Sequence, residues 1–426
     1  MFQSFMFKRV SCICLCFIML LLMPMVAEAT PLLEEKKVYT IVIDPGHGGD
    51  NRGTISNENF DEKEITLKTA KALVEELSKY NGVEVLLTRN RDVDLSLKER
   101  AIYAAEQKAD FLFSIHYNAS ENHTMFGTEV WIPLEAPYHT MGYQFAYLQQ
   151  LEMQELGLFS RGIKTRRNDE GTDYYGIIRE SVVRNVPAVI IEHCYVDEAR
   201  DIVFCDEDRD YEEFGKRDAR AIAKFLGLEP LTEHAELFEM NAEETVADTY
   251  MDATSPEVCR IEATGLEEDK GILTVQVTAK DSQTPVMYYD YTVDGGVTYS
   301  KLYPWPGSDL LKGVYEESFE LTLDVSSEVR PQVQLRVYNK FDLYQTSNVI
   351  MDFSALKEKQ QQVSPSEDSQ KTDYPEWKAE ETATLNQQSS DFSAARIVIL
   401  VLFILIWTVL LTGMGYVIYR RFRKKK

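Results

Sequence analysis

The chain has 426 residues, of which 44% are hydrophobic and 11% aromatic, and it carries a formal net charge of −24. That length exceeds one ordinary domain, and the apolar content is ample for packed cores. The acidic balance excludes nucleic acid as a partner, because phosphate binding needs clustered Lys and Arg.

In chain order, residues 1–29 read as a signal peptide. Lys8 and Arg9 form its positive region, Ile13 to Val26 its apolar run and Ala27-Glu28-Ala29 its cleavage site; an uncleaved anchor is the rival reading. Cys12, Cys14 and Cys16 would leave with it. The remaining Cys194, Cys205 and Cys259 have the spacing of neither a disulfide framework nor a cysteine zinc site.

Between residues 38 and 230 strand and helix patterns alternate. The pattern predicts a strand at Tyr39–Ile43 and a helix at Glu62–Tyr80, with Ile65, Ala70, Leu73 and Leu77 on one face and Asn81-Gly82 as its stop. Strands are predicted next at 83–88, 111–115 and 127–132, and helices at 95–107 and 139–156. A short strand at 176–178, the apolar strand 186–192 and an amphipathic helix at 211–226 complete the unit. Such alternation implies an α/β domain with a mostly parallel sheet flanked by helices.

The composition then changes. Residues 231–255 form an acidic linker, and 256–354 carry short strands separated by turn signals such as Asp294-Gly295-Gly296, the pattern of an all-β sandwich of immunoglobulin or fibronectin kind. Residues 355–394 are polar and read as a disordered stalk. Residues 397–419 are apolar enough to be expected as a single transmembrane helix, followed by a basic tail at 420–426. The positive-inside tendency places that tail in the cytoplasm. The expected location is therefore the plasma membrane, single-pass, with an extracytoplasmic body and a membrane contact through the C-terminal helix.

Four polar residues stand at element ends. His47 lies in the turn Pro45-Gly46-His47-Gly48-Gly49, Glu62 opens a helix, His116 ends the strand before Tyr117-Asn118-Ala119, and Glu192 ends Val189-Ile190-Ile191. The carboxyl ends of strands in an open α/β sheet line one crevice, where these groups could converge. Two His and one Glu with an open position make a catalytic zinc set, leaving Glu192 free as a base. Each residue alone has a plainer reading, as a turn histidine or as an acid favoured by a helix dipole. A carboxylate closing a run of Val and Ile is harder to dismiss, because unpaired burial is costly. His193 points to the opposite face and reads as structural, and His123, His139 and His234 as surface residues. The glycine turn lacks the residues of a phosphate-binding loop.

The segments Val42-Ile43-Asp44-Pro45-Gly46-His47-Gly48-Gly49, Glu62-Lys63-Glu64, Leu87-Thr88-Arg89, Ser114-Ile115-His116-Tyr117-Asn118-Ala119 and Pro187-Ala188-Val189-Ile190-Ile191-Glu192 together resemble the zinc-dependent N-acetylmuramoyl-L-alanine amidases over roughly residues 38–228. The resemblance implies an α/β domain in which His47, Glu62 and His116 bind Zn2+ and Glu192 is the catalytic glutamate. It implies peptidoglycan as the substrate, cut at the amide between N-acetylmuramic acid and L-alanine during cell-wall remodelling. Tyr117, Asn51 and the pair His193-Cys194 depart from the family pattern and remove neither a ligand nor the base. Arg179 is open between a contact to the stem peptide and a structural role. The alternatives are a non-catalytic peptidoglycan-binding or regulatory protein with the same fold, and a zinc peptidase cutting within the stem.

Overall fold

The computed structural model describes residues 37–54, 60–231 and 249–351. Every described residue belongs to the first of the two units into which the chain divides, residues 1–362. The expected signal peptide, stalk and basic tail lie outside the described residues.

The first half runs β1 (Tyr39–Pro45), α1 (Glu62–Leu77), β2 (Tyr80–Asn81), β3 (Val83–Leu87), α2 (Leu97–Glu106), β4 (Phe111–Asn118), β5 (Thr128–Trp131), α3 (Tyr138–Leu156), β6 (Ser160–Lys164), α4 (Gly176–Val182), β7 (Ala188–Tyr195), α5 (Ala199–Ile202), α6 (Asp208–Leu226) and β8 (Glu229–Pro230). Six strands form one sheet in the order β3-β1-β4-β7-β5-β6. Neighbours are parallel except β5, which runs antiparallel to β7. The short β2 and β8 pair separately. Alternate side chains face opposite layers. Ile41, Ile43, Phe111, Phe113, Val189 and Ile191 pack against α1, α3 and α6. Val42, Leu112, Ala188 and Ile190 face α2 and α4 on the other side.

Two sequence expectations fail within this half. Residues 176–178 open a helix, not a strand: Gly176–Val182 lays Ile177 and Ile178 into the core on the α2 side. Strand β6 went unrecognised, because its sequence Ser-Arg-Gly-Ile-Lys is polar although every residue is buried.

The β-rich second half comprises β9 (Val258–Glu267), β10 (Ile272–Lys280), β11 (Val286–Thr292), β12 (Tyr303–Pro304), β13 (Ser318–Asp324), β14 (Gln334–Asn339) and β15 (Tyr344–Thr346). They make sheets β13-β10-β9 and β12-β11-β14-β15 around one apolar core that includes Ile261, Val275, Val277, Trp305, Leu335 and Val337. Period-two alternation in β10, where buried and half-buried residues alternate, made this part legible. This region packs on the first. Phe126 and Phe159 meet Tyr288, Leu302 and Leu310, and Thr165 donates through both its backbone N–H and its hydroxyl to the carbonyl of Thr249. Sheet edge β6 is thereby covered.

The expected fold class needs one correction, the single transmembrane helix. Among the described residues no helix is long and apolar enough to cross a membrane. The two 19-residue helices, α3 and α6, are long enough, but α6 carries charged residues through most of its turns and α3 is interrupted by Gln, His and Glu. Both serve the α/β layer. Residues 397–419, where that helix was expected, lie outside the described residues.

Candidate metal centre

The turn after β1 holds His47 in the left-handed region, at φ 62°, a conformation uncommon for a residue with a Cβ. Two buried arginines hold the carbonyls around it. Arg100 Nη1 donates to the Pro45 carbonyl at 2.8 Å and Nη2 to the His47 carbonyl at 2.6 Å. Arg89 Nε donates to the Pro45 carbonyl at 2.9 Å and Nη2 to the Gly46 carbonyl at 2.8 Å. Asp44 accepts from Arg100 at 2.7 Å, Ser114 at 2.8 Å and Thr88 at 2.5 Å. Burial pushes its carboxyl up, but Arg100 and the hydroxyls outweigh that and leave it below the usual range.

Gly46 is required by proximity. A Cβ there would lie 2.3 Å from His116 Cε1 and 2.6 Å from Nε2. Gly46→Ala is therefore expected to displace the His116 ring and to weaken divalent-cation binding by roughly 10–100-fold, the usual cost of disturbing a ligand's support. Metal titration monitored by calorimetry measures this, and unchanged affinity would contradict it.

Glu62 sits at the start of α1, 3% exposed. Its Oε2 accepts from the Thr54 N–H at 2.9 Å and its Oε1 from the Tyr117 N–H at 3.0 Å. The same oxygens face His47 Nε2 at 3.0 Å and His116 Nδ1 at 3.1 Å. Burial opposes ionisation, yet the hydrogen bonds from His116 and His47 hold Glu62 far below the usual carboxylate range. Burial pulls His47 down, but Glu62 and Asn51 outweigh it and leave its pKa raised.

Asn51 explains one departure from the family pattern. Its Oδ1 faces His47 Nδ1 at 3.0 Å and accepts from the Gly53 N–H at 3.2 Å. An amide oxygen only accepts, so Nδ1 carries the proton. The Nε2 of a neutral His47 then turns a lone pair toward an ionised carboxylate, an arrangement that calls for a proton or a cation between them. His47, Glu62 and His116 offer one ligand atom each, all within 4.8 Å of one another. This N, N, O donor set fits zinc.

Glu192 stands in the next strand, its Cα paired in register with His116. Its Oε2 is buried without a hydrogen-bond partner among the described residues. Burial, and then the charges of Glu62 and Glu129, push its pKa well above the usual carboxylate range. Glu129 is its register partner on the other side. There Oε1 accepts from Asn118 Nδ2 and Trp131 Nε1, both at 3.1 Å. Oε2 accepts from Arg161 Nε at 2.8 Å and Lys164 Nζ at 2.7 Å. Burial disfavours this charge, but Lys164 and Arg161 hold Glu129 down at about 2.

A profile of the family described as N-acetylmuramoyl-L-alanine amidase matches residues 41–224. This segment belongs to the N-acetylmuramoyl-L-alanine amidase family. The amidase domain is 34% identical over 178 residues to the protein named "Probable cell wall amidase LytH" of Staphylococcus aureus, an alignment covering 41% of this chain and 54% of that protein. The chain thus spans about half the length of the curated relatives it matches. Among solved structures, it is similar to an N-acetylmuramoyl-L-alanine amidase from Clostridium difficile 630, with 32% identity, 45% and 97% of the two chains covered and a TM-score of 0.40. It is also similar to the catalytic domain of the amidase CwlV from Bacillus (Paenibacillus) polymyxa var. colistinus, with 27% identity, 44% and 98% covered and a TM-score of 0.39.

In the amidase domain, His47 in the turn after β1, Glu62 at the start of α1 and His116 in β4 form a single cluster, and Glu192 in β7 is in register beside His116. The other departures are packing substitutions. Tyr117 turns to the opposite face, where its hydroxyl lies 2.6 Å from Thr69 Oγ1 and its ring meets Phe214. His193 is buried between the His116 carbonyl and Asp218, and Cys194 lies among Val196, Tyr211 and Phe214. Arg179 donates to the carbonyls of Asp173 and Tyr174, a structural role for the loop. His139, read as a surface residue, instead stacks on Tyr250 and lies 2.8 Å from Thr249 Oγ1. Sequence reasoning missed Arg100, Glu129, Arg161 and Lys164. The signal available for Arg100 and Glu129 was a charged residue inside a predicted element; Arg161 and Lys164 lie in β6, where no element was predicted.

Proposed function

We propose that the chain is a zinc-dependent hydrolase of the amide between N-acetylmuramic acid and L-alanine in peptidoglycan, acting in cell-wall remodelling outside the cytoplasm, where that polymer lies. The observation that carries this reading is the juxtaposition of a two-histidine, one-carboxylate cluster with an unpartnered buried carboxyl one strand away, inside a domain of the amidase family. His47, Glu62 and His116 would hold the zinc. When bound, zinc acidifies water and polarises a carbonyl oxygen.

The residues of the chain do the rest. Asn51 fixes the His47 tautomer, and the N–H groups of Thr54 and Tyr117 aim the two Glu62 oxygens. Glu192 is the general base: it accepts the proton of the water that attacks the amide carbonyl. It then delivers that proton to the alanine nitrogen as the C–N bond breaks, so that the products are a free lactyl carboxylate and a stem with a free amino terminus.

Mass spectrometry of digested sacculi tests the reading. The expected products are stems beginning with L-alanine, lost on chelation and restored by added zinc. Shortened stems would make the enzyme a peptidase, and no release would make it a binding protein.

A further inference from the structure

We infer that Asp342, on the turn between β14 and β15 of the β-rich region, is a positioning residue of the candidate catalytic site and acts on Glu192 through Arg161 and Glu129. The inference rests on the hydrolase reading above. It makes the β-rich region part of the catalytic unit.

The connection is a row of side chains across one face of the sheet. His116 in β4 is in register with Glu192 in β7, and Glu192 with Glu129 in β5. The next strand, β6, slips by one residue: Thr128 pairs with Ser160, whereas Val130 pairs with Ile163. Residues three apart on a regular strand point to opposite faces. The extra residue of this bulge brings Arg161 and Lys164 to the same carboxylate, Glu129. Arg161 then reaches beyond the sheet edge. Its Nη2 donates to both oxygens of Asp342, at 2.9 and 2.7 Å, and its Nη1 to the hydroxyl of Tyr288 in β11 at 3.3 Å. One guanidinium thus joins a carboxylate of each region.

The arrangement is balanced in charge and shielded from water at all but one member. Arg161, Lys164 and Glu129 are nearly fully buried, and Asp342 is the partly exposed member at 35%. Two cations face two anions. Without the Asp342 charge, Arg161 loses the partner that holds its outer nitrogen, and a surplus cation is left beside Glu129 in a poorly solvated place. Glu129 also holds Asn118, two residues beyond His116. Movement of its carboxylate therefore disturbs both neighbours of the proposed base. Thr128, adjacent to Glu129, donates its hydroxyl to the Glu192 carbonyl at 3.1 Å, so β5 also sets the backbone of the base. The turn adds Phe341, whose ring lies 6.5 Å from that of Trp131 and takes the Lys164 ammonium at 5.5 Å. An interface serving only cohesion has no need to end on the strand that flanks the base.

Asp342→Asn is a clean probe. Asp342 has φ 65°, and asparagine tolerates the left-handed region as well as aspartate does, so the substitution removes the charge and keeps the turn. The full chain is assayed on a soluble N-acetylmuramoyl peptide, with exposed Glu320→Gln as the control. The expected result is a kcat lower by about tenfold with KM within about twofold, as misplacement of a reacting group predicts. Glu129→Gln lowers kcat in the same way, and the double variant Asp342→Asn/Glu129→Gln shows no further loss, because both act along one chain of contacts. If Asp342→Asn unfolds the chain, Arg161→Lys, which keeps the charge and loses the fork, takes its place in the same cycle. A kcat for Asp342→Asn equal to that of the control, or independent losses that multiply in the double variant, would overturn the inference while leaving the hydrolase reading intact. A wild-type chain that releases no peptide overturns both.

Discussion

Glu192→Gln is expected to lower peptide release by roughly 10²–10⁴-fold, the contribution of a positioned general acid–base, while leaving the fold as stable as the wild type or more so. The two effects have one cause. Glu192 is held beside Glu62 and Glu129, and its Oε2 has no hydrogen-bond partner among the described residues. A carboxyl so placed has a raised proton affinity, useful in a base and unfavourable for folding as an anion. Glutamine has the same shape, carries no charge and gives up no hydrogen bond made by Oε2. The like-charge cost is removed together with the chemistry. Stem release from sacculi and thermal melting of the same preparation test both halves. Retained activity would remove Glu192 from the role of base. Lost activity with a large fall in melting temperature would mean that Glu192 supports structure.

The apolar half of this fold was legible because it obeys simple periods. Strand β4 opens on the apolar run Phe111-Leu112-Phe113, and α6 shows its stripe through Tyr211, Phe214, Ala219 and Ile222. The proposed site could be read for a related reason: His47, His116 and Glu192 interrupt or end such runs, where a polar residue needs an explanation. What escaped was charge buried in pairs. Arg161 and Lys164 disguise β6 as a loop, and their burial is made tolerable by Glu129, 32 and 35 residues away, together with Asp342 on the outer nitrogen of Arg161. A one-residue bulge, invisible in composition, puts both on one face. The docking of the β-rich region was hidden for the same reason. Its contacts join Arg161 to Asp342 across 181 residues, and an acidic stretch read as a linker supplies Thr249 and Asp252 to buried positions. Local pattern does not report partners so far apart in the chain.

Arg100→Met should cost on the order of 3–5 kcal/mol, the usual result of removing one member of a buried ion pair. Arg100 and Asp44 are each 2% exposed as side chains, 2.7 Å apart. Methionine leaves the Asp44 carboxylate with only the Thr88 and Ser114 hydroxyls, frees the carbonyls of Leu95 and His47 and leaves the Pro45 carbonyl to Arg89. At about 2–4 °C per kcal/mol for a body of this size, the melting temperature falls by roughly 10 °C, a shift that calorimetry resolves. Asp44 also sets a pH dependence. Its folded pKa lies below its unfolded value of 3.8, so its contribution is complete above that pH and is lost as the pH falls toward the folded value. In Arg100→Met that depression shrinks and the acid limb of stability flattens. The double variant Asp44→Leu/Arg100→Met separates stability from placement of His47. Replacing both charges with apolar groups recovers much of the stability, but no donor then reaches the His47 carbonyl, and the left-handed residue that presents the first proposed ligand is held by Arg89 alone through the neighbouring carbonyls. Recovered melting temperature with weak zinc binding is the expected outcome. Recovery of both would show that the turn holds His47 without Arg100.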